Sequence, residues 1–223
     1  MGLISDFLMA RRLRRGPTLL LPYAPDPATV LETVRLHDPQ AGPYGRGFKI
    51  GENVELRGPV ALTPELAARA GLPAGWAAAF FARNIDSEAG GDFSRPSLLV
   101  RGLAERLGGR EHPECQEEPP EDLAEVTGGR LIPVDEVIGL LADEVPGLEV
   151  TTVTDAGTTL LTSAESPIEV FVTEWDGDDV TYELSADGGY GTGVPAAARR
   201  AALAIADRTG GVARDHNGFL ITG

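Results

Sequence analysis

The spacing of apolar positions switches between a helical and a strand period along the chain, and it does so in the same order twice. Leu99, Leu103 and Leu107 in one segment and Ala202, Ile205 and Ala206 in another recur at three and four residues, so each segment predicts an amphipathic helix. Both helices close on one pattern. "GLAERLGG" (Gly102 to Gly109) and "AIADRTGG" (Ala204 to Gly211) share an alanine, an acid, an arginine and a Gly-Gly pair in register. The glycines supply a left-handed stop. Pro96 and Pro195 stand near the helix starts, where the N–H that proline lacks has no helical partner anyway.

Ahead of each proline runs a glycine-rich loop, "DSEAGGDFSR" or "DGGYGTGV", and ahead of each loop a β-rich run, Ala77 to Ile85 and Asp179 to Ala186. Further upstream, Thr18 to Val34 and Arg130 to Val145 each read as a strand, a proline, an acidic cap and a helix. The second half shows four β-rich runs after that helix: "LEVTTVT", "GTTLLTS", "IEVFVTEW" and "VTYELSA". Asn217-Gly218 then predicts a closing hairpin turn. The first half is less regular between Gly42 and Trp76, where "TPELAARAGLPAG" predicts a short helix and the topology stays open. The reading is an α+β fold of two tandem related β-α-β-β-α-β halves with antiparallel sheets, the second ending in a β-hairpin. That order resembles a tandem ferredoxin-like arrangement. The resemblance implies helices laid on one face of each sheet and assigns no site, because this fold hosts many unrelated activities.

Charge narrows the partners. With 34 acidic residues against 19 Lys and Arg the formal charge is −15, which excludes non-specific binding to a phosphate backbone. Lys49 is the only lysine, and the Ala, Gly and Pro content matches GC-rich codons, so the expected source is a high-GC bacterium. A lone cysteine, Cys115, makes no internal disulfide and fits a reducing compartment, so the cytoplasm is the expected location. The basic cluster and short apolar run at the start superficially resemble a signal peptide. Pro25-Asp26-Pro27 interrupts the run, which reads instead as the first buried strand. No stretch approaches transmembrane length, so no stable membrane insertion is expected.

Composition also suggests boundaries. Residues 1–16 form a basic arm, 17–112 the first half, 113–129 an acidic, proline-rich linker and 130–223 the second half. Pro113, Pro119 and Pro120 with Glu114, Glu117, Glu118, Glu121, Asp122 and Glu125 make a segment that has little to bury. The arm is expected to order on docking, through Ile4, Phe7 and Leu8 and through pairing with this linker.

Candidate chemistry is sparse. Glu111, His112, Glu114 and Cys115 lack the second ligand pair a metal site needs, and Glu174, Asp176, Asp178, Asp179 and Asp187, clustered around two turns, lack a calcium-loop pattern and read as a solvated hairpin tip. His37, His112 and His216 accompany no nucleophile motif; His216 belongs to a "DHNG" turn. The glycine loops carry no Walker lysine and no full dinucleotide fingerprint, so no cofactor is expected. Arg11, Arg12, Arg14 and Arg15 form the only dense basic run. With Phe93 and Tyr190, one in each glycine loop, they are the candidate partner-binding residues, although the aromatics read better as pins holding the loops on the sheet than as ligand-stacking groups. These features favour a non-enzymatic protein-binding or regulatory module. Its partner would be another protein, a basic one in an inhibitor or immunity-like version, or a second copy of the chain. The alternative is an enzyme or small-molecule binder with a pocket between the halves.

Overall fold

The computed structural model describes residues 3–85, 94–114, 120–154, 157–175, 179–186 and 190–223. The chain divides into two compact units, Met1–Gln116 and Glu117–Gly223. The fold is α+β, with two six-stranded antiparallel sheets and six helices among the described residues.

In the first unit the order is α1 (Leu3–Arg15), β1 (Thr18–Leu21), α2 (Pro27–His37), β2 (Gly42–Pro43), β3 (Gly47–Ile50), β4 (Val54–Ala61), α3 (Pro64–Ala70), β5 (Ala78–Asn84), α4 (Ser94–Leu107) and β6 (Arg110–His112). The second unit runs β7 (Asp122–Gly129), α5 (Val134–Leu141), β8 (Leu148–Val153), β9 (Thr158–Ser163), β10 (Ile168–Glu174), β11 (Val180–Ala186), α6 (Val194–Thr209) and β12 (Val212–Asp215). Neighbour order across the first sheet is β6-β1-β5-β4-β3-β2, and across the second β12-β7-β11-β10-β9-β8. The two connectivities correspond strand for strand. Each sheet has four strands between β1 or β7 and the final strand, so the predicted β-α-β-β-α-β order is short by two strands per half. In the first half the extra strands lie in the irregular stretch after Gly42, where β2 and β3 are too short to show a period.

Local chemistry explains the helix starts. Asp26 accepts from the backbone N–H groups of Ala28 and Thr29 ahead of α2, and Thr63 accepts from Leu66 ahead of α3. In each case proline opens the helix. The Gly-Gly pairs have two separate duties. Gly108 and Gly210 take positive φ of 62° and 78°, ending α4 and α6. Gly109 and Gly211 follow them and lie against the first strand of their unit. A Cβ on Gly109 would stand 2.5 Å from the Leu20 carbonyl oxygen, and one on Gly211 2.8 Å from Val126 Cγ1. The repeat read from sequence thus marks one packing device used twice.

Four expectations are corrected. Residues 122–129, assigned to the linker, form β7, and β7 lies between β11 and β12. Leu123, Ala124 and Val126 face the core while Asp122 and Glu125 face out, so acidity here reflects a half-buried strand, not a solvated tether. The run from Arg130 that reads as a strand is not one. Its backbone is held instead by the buried Tyr182, whose hydroxyl accepts from Ile132 N–H at 3.1 Å and donates to the Arg130 carbonyl at 3.2 Å. The basic arm is helix α1, packed on α3 and β5. Ala10 and Leu13 supply its burial, with Leu20, Ala70, Leu72, Ala79 and Phe81. Phe7 and Leu8 remain 65% and 47% exposed, and Arg14 donates to the Arg69 and Ala70 carbonyls ending α3 instead of to linker acids. The closing Asn217-Gly218 turn exists, but Leu220 makes a single bridge to Arg214 and not a full hairpin strand.

Candidate functional site

The second unit packs both its helices on one face of the sheet. Val126, Val170, Tyr182 and Leu184 meet Val137 and Leu141 of α5 and Ala201 and Ile205 of α6 there. In the first unit α4 packs on β1, β5 and β6, while α1 and α3 cover the opposite side, where Leu20, Ala79 and Phe81 lie. The second unit has no counterpart of α1 or α3 among its described elements.

Alternation along the strands therefore sends a second set of residues away from the helices. Register aligns Leu160, Phe171, Glu183, Glu125 and Arg214 in one row across five strands. The next row is Thr158, Thr173, Thr181 and Thr127. Every residue of both rows keeps some exposure, in contrast to Val170, Tyr182 and Leu184 beside them. The threonines tie the face together: Thr158 and Thr173 hydroxyls stand 3.2 Å apart, and Trp175, 62% exposed, donates its indole N–H to Thr181 at 3.1 Å.

Glu183 and Glu125 stand directly opposite each other on β11 and β7, and like charges so placed repel. Burial, then a hydrogen bond with Asp122, then repulsion from Asp122 and Glu125 push the Glu183 carboxyl above its ordinary range. Arg214 adjoins only the far side of Glu125, on the edge strand. The row thus presents crowded acid flanked by the apolar bodies of Phe171 and Leu160.

The residues singled out from sequence are scattered. Arg11, Arg12 and Arg15 line a concavity of about 350 Å³ on the first unit, with Leu8, Phe81 and Arg83. Arg14 caps α3. Phe93 lies outside the described residues. Tyr190 packs on the core of the second unit and donates its hydroxyl to the Pro120 carbonyl at 2.7 Å, which is the pin role. Asp215 is buried and accepts from the Asn217 and Phe219 N–H groups at 3.0 Å, so it shapes the turn that carries His216. His112 is held below its ordinary pKa by burial and by the Arg110 charge. Among the described residues no group of three His, Cys, Asp or Glu is placed to hold a metal ion, and no helix is long and apolar enough to cross a membrane. Sequence reading missed the Glu125 and Glu183 row. Its signal was present in the alternation of Asp122, Glu125 and Thr127 with Leu123, Ala124 and Val126, and of Thr181, Glu183 and Ser185 with Val180, Tyr182 and Leu184.

Comparison with protein-family models, curated proteins and solved structures finds no match to this chain.

Proposed function

We propose that the chain is a non-enzymatic binding module whose second unit offers the helix-free face of its sheet to a basic protein. One observation carries the reading: Glu183 and Glu125 oppose each other across β11 and β7, on the face of the sheet that α5 and α6 leave uncovered. Such a row is unfavourable within the isolated fold, and a cationic side chain laid over it relieves the repulsion. Phe171, Leu160 and Trp175 beside it give a partner apolar area, which supplies affinity while charge supplies orientation and speed of encounter. A split β-α-β frame of ferredoxin-like kind, extended by two strands, belongs to the same proposal, because it leaves one sheet face for recognition. Inhibition of a basic toxic protein is the specific form of this reading, and the net charge of −15 suits it.

Affinity capture from the native host with wild-type protein and with the E125Q/E183Q variant tests it. A basic protein recovered by wild type, weakened by added salt and lost with the variant, is the expected result. Identical recovery by the two proteins, or turnover of a substrate in a broad screen that survives both substitutions, overturns the reading.

A further inference from the structure

Helix α1 places Leu8, Arg11, Arg12 and Arg15 at i, i+3, i+4 and i+7, which is one stripe of its surface. That stripe and the Phe81 to Arg83 stretch of β5 bound the concavity of about 350 Å³. Its chemistry is unusual for this protein. Acids outnumber bases 34 to 19, yet Arg11, Arg12 and Arg15 make no ion pair among the described residues, whereas Arg83 is fixed by the buried Glu55 through its Nε at 2.8 Å and an Nη at 2.7 Å. A position in the last turns of α1 favours cations through the helix dipole, but that benefit does not depend on which side of the helix they occupy. It accounts for basic residues there and not for their gathering over an apolar floor.

We infer that this groove is a second docking site, which takes an acidic peptide segment of a partner protein. An apolar side chain of the segment seats against Leu8 and Phe81, while its carboxylates accept paired hydrogen bonds from the guanidinium groups of Arg11, Arg12 and Arg15. The stripe from Leu8 to Arg15 extends along about 10 Å of helix, the reach of several peptide residues. The groove is open at the surface, whereas a small-molecule site encloses most of its ligand. A nucleic acid or an anionic bilayer is an extended polyanion that would also meet the chain's net charge of −15, so a short protein segment is the polyanion that fits. Phe7, exposed one turn before Arg11, extends the apolar margin. This site prefers the opposite charge to the Glu125 and Glu183 face and stands in the other unit, so the chain has the means to hold two different partners.

Selection of a random peptide library on the full chain, followed by fluorescence anisotropy with the enriched peptides, tests the inference. Expected are peptides combining Asp or Glu with Leu or Phe, whose affinity falls roughly tenfold or more in R11Q/R12Q/R15Q, falls also in Leu8→Ala, and is unchanged in E125Q/E183Q. Because Leu8, Arg11, Arg12 and Arg15 are exposed and the three arginines make no ion pair among the described residues, melting curves of R11Q/R12Q/R15Q and Leu8→Ala should match wild type and exclude misfolding. Enrichment of no peptides, of neutral or basic ones only, or of acidic ones that bind the arginine variant equally overturns the site. Arginine-dependent sedimentation with phosphatidylglycerol vesicles, or binding of dodecyl phosphate in preference to every acidic peptide, assigns the groove to a lipid and also overturns it.

Discussion

Single positions in this chain are constrained by close approach and by buried charge. Gly109 and Gly211 sit where a Cβ would press on β1 or β7, so Gly109→Ala and Gly211→Ala should each destabilise by about 1–3 kcal/mol, as overpacking does, measured by urea denaturation. Glu55 carries the other constraint. Burial alone raises its carboxyl pKa, but hydrogen bonds and charge from Arg57 and Arg83 outweigh burial and leave it lowered. A carboxyl depressed in the folded state contributes stability above its unfolded pKa, and that contribution is lost as pH falls through the folded value. Glu183 has the opposite sign. Its raised pKa means the folded state holds a proton more tightly than the unfolded chain, so its ionisation destabilises as pH rises from the unfolded value through the folded one. Glu183→Gln should therefore raise the urea midpoint at neutral pH, with the gain vanishing below about pH 4.3, the unfolded carboxyl range. Glu55→Gln should lower the midpoint at neutral pH and matter least in acid.

Among the elements, α1 is where sequence and structure differ most usefully. Its burial runs through Leu13, which is fully enclosed, and not through Phe7. Leu13→Ala should cost about 2–5 kcal/mol, the range for an enclosed leucine, while Phe7→Ala should change stability by less than about 0.5 kcal/mol. Equilibrium unfolding of the two variants separates a packed helix from a loose arm. A larger loss with Phe7→Ala would place the helix the other way round on β5. The same helix shows why identical connectivity need not mean identical surfaces. α1 and α3 cover the sheet face around Leu20, Ala79 and Phe81, while among the described residues of the second unit no helix lies over the corresponding threonines and acids.

At the scale of the whole molecule, each unit has its own sheet and its own buried cluster. Each is also within the size at which a domain folds alone. Residues 117–223 expressed separately should give a dispersed amide NMR spectrum and a cooperative melt, and a collapsed or unfolded spectrum would show that the second core depends on the first unit.

Much of this organisation is legible in the residues themselves. β-rich runs and apolar positions at three and four set out β5, β8 to β11, α4 and α6 to within a residue or two, with alternating burial along β10 and the first part of β11, while β5 is almost wholly buried. The paired Gly-Gly stops reported a repeated device, because steric exclusion of Cβ leaves few alternatives to glycine. Other features depended on tertiary contact. β7 was masked by the prolines just ahead of it and by its own acids, since acidity marks the solvated side of a strand as readily as a tether, and only pairing with β11 and β12 decides between them. The run after Arg130 has strand-like composition but gives its backbone bonds to a tyrosine fifty residues on in sequence. The arginine run was singled out from sequence as partner-binding, but its groove was not, and the Glu125 and Glu183 row was not singled out at all. Arg11, Arg12 and Arg15 become a groove only when Phe81 and Arg83 come beneath them, and Glu125 meets Glu183 only through strand register, which is a property of the folded sheet and of no local segment.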